Sequence, residues 1–166
     1  SASATLVAAN LRAADQVSVI DSGSATINAA DADALGGKLI GAGTLNVTGY
    51  TNQELQDITT STVNVSITDA NAVSDSDKLG GKVVSIDVKN FAALSLSADS
   101  AANLGSKLNG LGQLKISNYV DQDLKDIGTT HVNVSITRSD ALSNASQLST
   151  ADVITVEQDA ILTLNA

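Results

Sequence analysis

The amino-acid sequence predicts an α/β fold, a right-handed solenoid of short parallel strands that alternate with short helices. Three observations predict it: a long internal repeat, strand-like segments that recur at a shorter spacing within each repeat, and brief helical patterns between them, most followed by glycine. A unit of about 20 residues cannot bury its own apolar face, so neighbouring passes of the chain must cover one another.

The repeat appears when the sequence is shifted by 69 residues against itself. Residues 39–68 then superpose on residues 108–137 with 16 identities in 30 positions, including TVNVSIT against HVNVSIT. Segments starting at Gln16, Lys82 and Asp152 also resemble one another. We therefore predict one solenoid fragment, residues 1–166, with a repeat of about 68 residues made of about three coils. The predicted divisions are the end of a preceding repeat (1–15), two copies (16–81 and 82–151) and a partial copy (152–166). Because the chain has no Met, we expect both ends to be cuts through a longer protein.

The predicted strands show alternation of apolar and polar residues. Val63, Val65 and Ile67 point one way while the residues between them are polar, which is typical of a half-buried strand. Within a repeat the strands start about 18 to 21 residues apart, and links through helices favour parallel pairing. The segments are TLNV (44–47), TVNVSIT (62–68), VVSIDV (83–88), LKIS (114–117) and HVNVSIT (131–137).

The predicted helices are brief and begin at capping residues. After Tyr50, Thr51 and Glu54 form a capping-box pattern, and in the second copy Asp121 is the expected cap. Similar patterns occupy DADALGGKL (31–39), NAVSDSDKLGGK (71–82), SAANLGSKLNGLG (100–112) and SDALSNASQL (139–148).

Two segments, VSVI and ATIN, start only about eight residues apart around Asp21. They allow a β-hairpin or two sides of one solenoid coil. We favour the second, because it lets three coils of about 23 residues fill the repeat.

The geometry resembles a leucine-rich-repeat-type α/β solenoid, although the LxxLxLxxN consensus is absent. The richness in Ala, Ser, Thr, Asn and Asp, the acidity and the long imperfect repeat resemble the repeat regions of very large bacterial surface or secreted proteins, including adhesin-like ones. The resemblance implies a non-enzymatic structural or adhesive module, extracellular or at the cell surface. Its expected partners are neighbouring repeats of the same chain and a glycan or a surface protein.

The composition excludes several other classes of function. A net charge of −9 opposes binding to nucleic acid or to anionic lipid. No apolar run approaches the roughly 20 residues that span a bilayer, and no cysteine is present for disulfides or thiolate metal sites. We therefore expect no nucleic-acid partner and no membrane insertion.

Paired acidic residues are the candidates for a metal site. Asp31 with Asp33 and Asp75 with Asp77 are spaced so that carboxylates on a turn offer oxygens to calcium, which supports the alternative of a calcium-stabilised secretion or adhesion repeat. The EF-hand spacing is missing, however, and these positions suit helix capping, as does the group at residues 121–126. We predict no resident cofactor, with calcium as the alternative.

A row of polar residues is predicted on the outward face of the sheet. Simple exposure to solvent is the favoured interpretation, and the alternatives are binding of a glycan, a partner protein or ice, or stacking of the Asn side chains in the interior. The row comprises Asn46, Thr48, Asn64, Ser66, Asp87, Lys115, Asn133 and Ser135. Tyr50 and Tyr119 occupy one repeat position before a helix start and are expected to pack against its first turn.

No catalytic residue is predicted. His131 replaces Thr62 of the first copy and has no cysteine or GxSxG serine to act with. A polysaccharide-processing solenoid enzyme, the second alternative, needs converging carboxylates, and the sequence offers one lone Asp87 and Lys89 pair. Finally, a cut solenoid predicts exposed apolar residues at its ends, at Val17, Val19, Leu162 or Leu164.

Overall fold

The computed structural model describes residues 3–11 and 13–165, without the side chain of residue 8. The outermost residues of the predicted repeat divisions, 1, 2 and 166, lie outside the described residues. The strands are β1 (Ser3–Thr5), β2 (Val17–Ser18), β3 (Ser24–Asn28), β4 (Leu39–Ile40), β5 (Thr44–Thr48), β6 (Thr62–Ile67), β7 (Ala72–Val73), β8 (Val83–Val88), β9 (Ala93–Ser97), β10 (Leu108–Ser117), β11 (Gly128–Ile136), β12 (Ala141–Asn144), β13 (Val153–Val156) and β14 (Leu162–Asn165). The α-helices are α1 (Ala8–Leu11), α2 (Ala29–Leu35), α3 (Ser76–Leu79) and α4 (Ala98–Leu104), with 3-10 turns at Gly36–Lys38 and Gly105–Lys107.

Most strands form one ten-stranded sheet, and the pairs along it are parallel. Its order is β1-β3-β5-β6-β8-β10-β11-β13, with β9 beside β10 and β7 beside β9. Two further parallel pairs join β2 to β4 and β12 to β14. The prediction of an α/β fold with parallel strands and short helices is confirmed at this level.

The hairpin alternative around residue 21 is wrong. β2 pairs with β4, placing Val17 beside Leu39, while β3 pairs with β1 and β5. The two segments are therefore successive parts of one pass of the chain, joined by a turn in which Gly23 N donates to Ile20 O at 3.0 Å.

The core is a ladder of aliphatic side chains contributed by successive strands. In β6, Val63, Val65 and Ile67 are at most 2% exposed, whereas Asn64 and Ser66 between them are half-buried. The alternation predicted from the sequence is therefore confirmed, and it follows from the period of two in an extended chain.

Three predicted helices are confirmed, each with a side-chain cap. Asn28 accepts from the backbone N–H of Asp31 at 2.8 Å to begin α2, and Asp75 accepts from Lys78 N at 2.8 Å to begin α3. Ser97 begins α4 in the same way. Each cap satisfies an N–H that the first helical turn leaves unpaired.

The helices predicted after Tyr50 and at Asp121 are wrong. The backbone after Tyr50 bonds to the next pass of the chain instead of to itself: Val73 N donates to Thr51 O at 2.8 Å and Leu55 N donates to Lys78 O at 2.7 Å. These bonds hold the segment open, so Thr51 and Asp121 cap no helix.

The helix predicted within residues 139–148 is also wrong. Its first part is β12, which pairs with β14, and a series of turns follows. Asn144 and Gln147 exchange backbone-to-side-chain bonds of 3.0 and 3.1 Å, as in a capping box, but no helix continues from them.

The predicted exposure of apolar end residues is correct at one end only. Leu164 is 65% exposed and Leu162 is half-buried. Val17 is half-buried and Val19 is only 6% exposed, because residues of β1 and β4 and the glycines after β4 lie against them.

Glycine is required where the chain bends after β4 and, 69 residues on, within β10. Gly41 and Gly110 have φ angles of 113° and 114°. A β-carbon on either would lie under 3.0 Å from a backbone carbonyl, that of Val19 or Val88 respectively. The same close contact is thus made twice in the chain.

Replacing Gly41 by Ala is expected to lower the free energy of unfolding by at least about 2 kcal/mol, because the new β-carbon meets backbone and the φ angle is unfavourable. Chemical denaturation measures this. Gly81 is the matched control, since a β-carbon there meets nothing within 4 Å. We expect Gly81→Ala to change stability by no more than about 1 kcal/mol. Equal losses in the two variants would contradict the assignment.

Candidate binding surface

The outward face of the sheet is polar, and along β5, β6, β8 and the start of β10 its side chains bond to one another. Asn64 Nδ2 donates to Asn46 Oδ1 at 3.1 Å, and Asn109 Nδ2 donates to Ser85 Oγ at 3.1 Å. Such ladders satisfy the amides within the protein. They leave these residues less capacity to bind a ligand than the sequence suggested.

The same face differs at β9, the second half of β10 and β11. Register places Lys115 beside both Ser95 and Asn133, and the side chains of Lys115 and Asn133 have no hydrogen-bond partner among the described residues. These residues, with Ser117, Ser135, Thr155 and Glu157, line a shallow depression of about 450 Å3. Ser135 Oγ donates to Glu157 Oε1 at 3.0 Å on its wall. This depression therefore combines free donors with hydroxyls and a carboxylate.

Phe91 lies beside this face in an unusual conformation. It occupies the turn in which Ala92 N donates to Lys89 O at 2.9 Å, and its φ angle is 67°. Its side chain is 90% exposed. A left-handed conformation costs a non-glycine residue roughly 1–2 kcal/mol. Because the ring is exposed, no free energy of burial offsets this cost. Neither packing nor backbone preference explains an aromatic residue here.

A second depression, of about 390 Å3, joins Phe91 to the polar face. Its walls include Leu111, which is 64% exposed, together with Gln113, Lys115 and the exposed His131. We call these five residues, Phe91, Leu111, Gln113, Lys115 and His131, the Phe91 patch. Because Lys115 also lines the polar depression, the two depressions adjoin.

The first copy contains a natural comparison for the Phe91 patch. Positions 69 residues earlier carry a smaller side chain in every case: Ser22, Ala42, Thr44, Asn46 and Thr62. Ser22 has the same turn geometry, with a φ angle of 59°. The backbone frame is thus repeated, whereas the aromatic, apolar and basic groups are confined to the second copy.

The Phe91 patch is not among the sites predicted from the sequence. Phe91 lies in no recognised motif, and His131 was considered only as a catalytic residue. Comparing aligned copies position by position at exposed turns was the available signal, since it sets Phe91 against Ser22.

The two tyrosines are buried, as predicted, but the helix expected to follow each of them is absent. Tyr50 and Tyr119 are 0% exposed. The Tyr50 hydroxyl lies 2.6 Å from Ser74 Oγ, and Tyr119 Oη donates to Ser143 Oγ at 2.8 Å. Burial raises the pKa of Tyr50 to about 12 and also raises the pKa of Tyr119. Neither ring is available to stack on a ligand.

Stability is expected to fall as the pH rises from about 10 to about 12. An unfolded tyrosine ionises near pH 10.0, whereas folded Tyr50 keeps its proton until about pH 12. In this window the unfolded state binds fewer protons, so ionisation favours unfolding, and the contribution is fully present below pH 10. Tyrosinate absorbance and circular dichroism should change together. Ionisation of both tyrosines near pH 10 in a chain that stays folded would contradict the burial argument.

The predicted calcium residues are dispersed, and several serve as helix-start residues. Asp75 caps α3, and Asp31 Oδ2 accepts from Asn28 Nδ2 at 2.8 Å at the start of α2. Asp33 and Asp77 are exposed within or beside these helices, and Asp123 pairs with Lys125 at 2.6 Å. Within residues 3–11 and 13–165 no three His, Cys, Asp or Glu side chains lie together as a metal site requires. Calcium binding therefore remains a prediction that only experiment tests.

We expect millimolar calcium to leave the melting temperature unchanged relative to a chelator. The reason is that oxygens of Asp31 and Asp75 are already engaged at helix starts, and a ligand bound only by the folded state would raise apparent stability. A reproducible rise, lost in Asp33→Asn with Asp77→Asn, would restore the calcium alternative. Magnesium at the same ionic strength controls for screening.

The remaining sequence candidates, which are the Asp87 and Lys89 pair and His131, lie at the surface of the sheet. Asp87 and Lys89 form an ion pair at the sheet surface, and Lys89 is about half exposed. His131 is exposed beside Gln113 in register.

No helix among the described residues is long and apolar enough to cross a bilayer. The chain matches no protein-family model, no curated protein and no solved structure.

Proposed function

We propose that this chain is a non-enzymatic structural and adhesive module of a large extracellular or cell-surface protein, and that it binds a saccharide at the Phe91 patch. The observation that supports this proposal best is the Phe91 ring, which is 90% exposed on a turn that recurs in each copy and lies next to the side chain of Lys115, unpaired among the described residues. The scaffold is a solenoid in this proposal.

Regular pairing supports the solenoid. Thr44, Thr62 and the residues that follow them pair in register, as do Gln113, His131 and their successors 69 residues on. The buried Tyr50–Ser74 contact likewise recurs as Tyr119–Ser143. Contacts that repeat at one period are typical of solenoids, in which each unit contacts only its neighbours.

The chemistry of the Phe91 patch supports a saccharide. Sugar rings present C–H groups on one face and hydroxyls at the edge, so they suit an exposed aromatic face with convergent donors and acceptors around it. Here Phe91 and Leu111 supply the apolar part, while Gln113, Lys115 and His131 supply the polar part. Beyond them, Asn133 and Glu157 extend the polar surface for a second sugar unit.

The shallow surface implies weak binding by each copy. Both depressions are open, so a bound saccharide keeps much of its hydration. A protein with many such modules gains strength by binding several sites at once, which is how repeated weak contacts produce adhesion.

We expect the chain, immobilised at high density, to bind a subset of a glycan array, and Phe91→Asp to abolish this binding. Asp159 has a φ angle of 67° at the corresponding turn position of the third copy, so aspartate fits the turn. The melting temperature of Phe91→Asp should therefore not fall. Ser22→Asp, at the equivalent turn of the first copy, is the matched control and should bind as the unmodified chain does.

A reciprocal test moves the patch to the first copy. Ser22→Phe, Ala42→Leu, Thr44→Gln, Asn46→Lys and Thr62→His together should restore binding in the Phe91→Asp chain. Glycan binding that persists in Phe91→Asp would place the contact elsewhere. No binding to any glycan by the immobilised chain would overturn the saccharide proposal.

A further inference from the structure

The strands at the C-terminal edge of the described chain expose apolar residues that face the core elsewhere. Ile154 and Val156 of β13 are 41% and 47% exposed, and Leu164 of β14 is 65% exposed. Leu162 is half-buried. These four side chains belong to the inward alternation of their strands, so exposure leaves a stripe of uncovered core.

The equivalent residues in the interior of the chain are covered by a further strand. β13 pairs with β11 in the register that β8 adopts with β6, which makes Ile154 and Val156 equivalent to Ile86 and Val88. Ile86 and Val88 are both 0% exposed. Leu94 and Leu96, the equivalents of Leu162 and Leu164, are at most 3% exposed.

In the second copy the cover is β10. Leu108 lies beside Ile86 and Gly110 beside Val88, while Leu114 and Ile116 lie beside Leu94 and Leu96. The first copy repeats this arrangement, since Leu39 covers Val17 and Leu45 covers Ala25. Both covers share the sequence Leu-x-Gly-x-Gly-x-Leu followed, two residues later, by Val or Ile, at residues 39–47 and 108–116.

The two glycines make the cover selective. A β-carbon on Gly110 would lie under 3.0 Å from Val88 O, and one on Gly112 would lie under 3.0 Å from Lys89 O and Ala92 O. Gln113 N, which follows, donates to Ala92 O at 2.9 Å. Any other side chain at these two positions therefore pushes the covering strand away from the turn.

We propose that the β13–β14 edge binds, by parallel strand addition, a segment of sequence Leu-x-Gly-x-Gly-x-Leu-x-(Val/Ile), as carried by a further copy of this repeat. Leu108-type and Leu114-type residues then cover Ile154 and Leu162. The two glycines let the segment approach the carbonyls of Val156, Glu157 and Ala160, which correspond to Val88, Lys89 and Ala92. The proposal does not depend on the saccharide at the Phe91 patch.

The first test uses a synthetic peptide of residues 98–127, which carries α4, β10 and the segment after it. Calorimetry and the melting temperature of the intact chain measure binding. We expect the peptide to bind and to raise the melting temperature, and a peptide with Gly110→Ala and Gly112→Ala to bind at least about tenfold more weakly. Equal binding of the two peptides would show non-selective apolar contact and overturn the proposal.

Variants of the intact chain locate the contact. Val156→Asp should abolish binding of the peptide, whereas Val84→Asp should not, because Val84 is similarly exposed, at 48%, away from this edge. Each variant is first shown to melt as the unmodified chain does. Self-association of the chain that Val156→Asp removes would overturn the proposal, because in an intact second molecule the segments at residues 39–47 and 108–116 are already paired internally and cannot be the occupant.

A fused chain covers the case in which ordering a free peptide costs too much for binding to be seen. Residues 98–151 are joined after Asn165, which corresponds to Ser97. We expect this chain to melt at a higher temperature than the same fusion with Gly110→Ala and Gly112→Ala in the added segment. If neither peptide binds and the two fusions melt alike, the proposal is wrong.

Discussion

Parallel backbone pairing between successive passes of the chain is the constraint on which the rest of this structure depends. A single pass is only one strand thick and has no interior of its own. Register alone brings Leu45, Val63 and Val83 into one row and thereby removes them from water. The strand rows therefore consist mainly of medium-sized aliphatic residues, whereas the buried rings of Tyr50 and Tyr119 lie outside the strands.

Features that depend only on a short stretch of the chain could be predicted from the sequence. The strands follow from alternation at residues such as 63–67, and α2 to α4 follow from caps that act within three residues. The segment after Tyr50 was not predictable in this way. It carries a convincing capping pattern, yet the N–H of Leu55 and the carbonyl of Thr51 bond to residues more than 20 positions on. Tertiary pairing outweighed local preference, and no local pattern reports it.

The candidate binding surface was predictable only in part, for the same reason. Polar residues at Lys115, Asn133 and Ser135 were expected to face outward, and they line one depression. The grouping of Phe91 with Leu111 and His131 depends on a turn and two strands that only register brings together. In contrast, the acidic pairs looked suited to a metal, although Asp75 and Asp31 already serve at helix starts.

The turn that carries Phe91 keeps one exposed side chain apart from the buried rows that stabilise the fold. Ser22, Phe91 and Asp159 take the same left-handed conformation, between strands whose pairing does not depend on which of the three is present. A substitution at this one position therefore changes the exposed side chain without disturbing the buried rows beneath it. An array built on this plan would present a different exposed side chain from each unit while all units share one architecture.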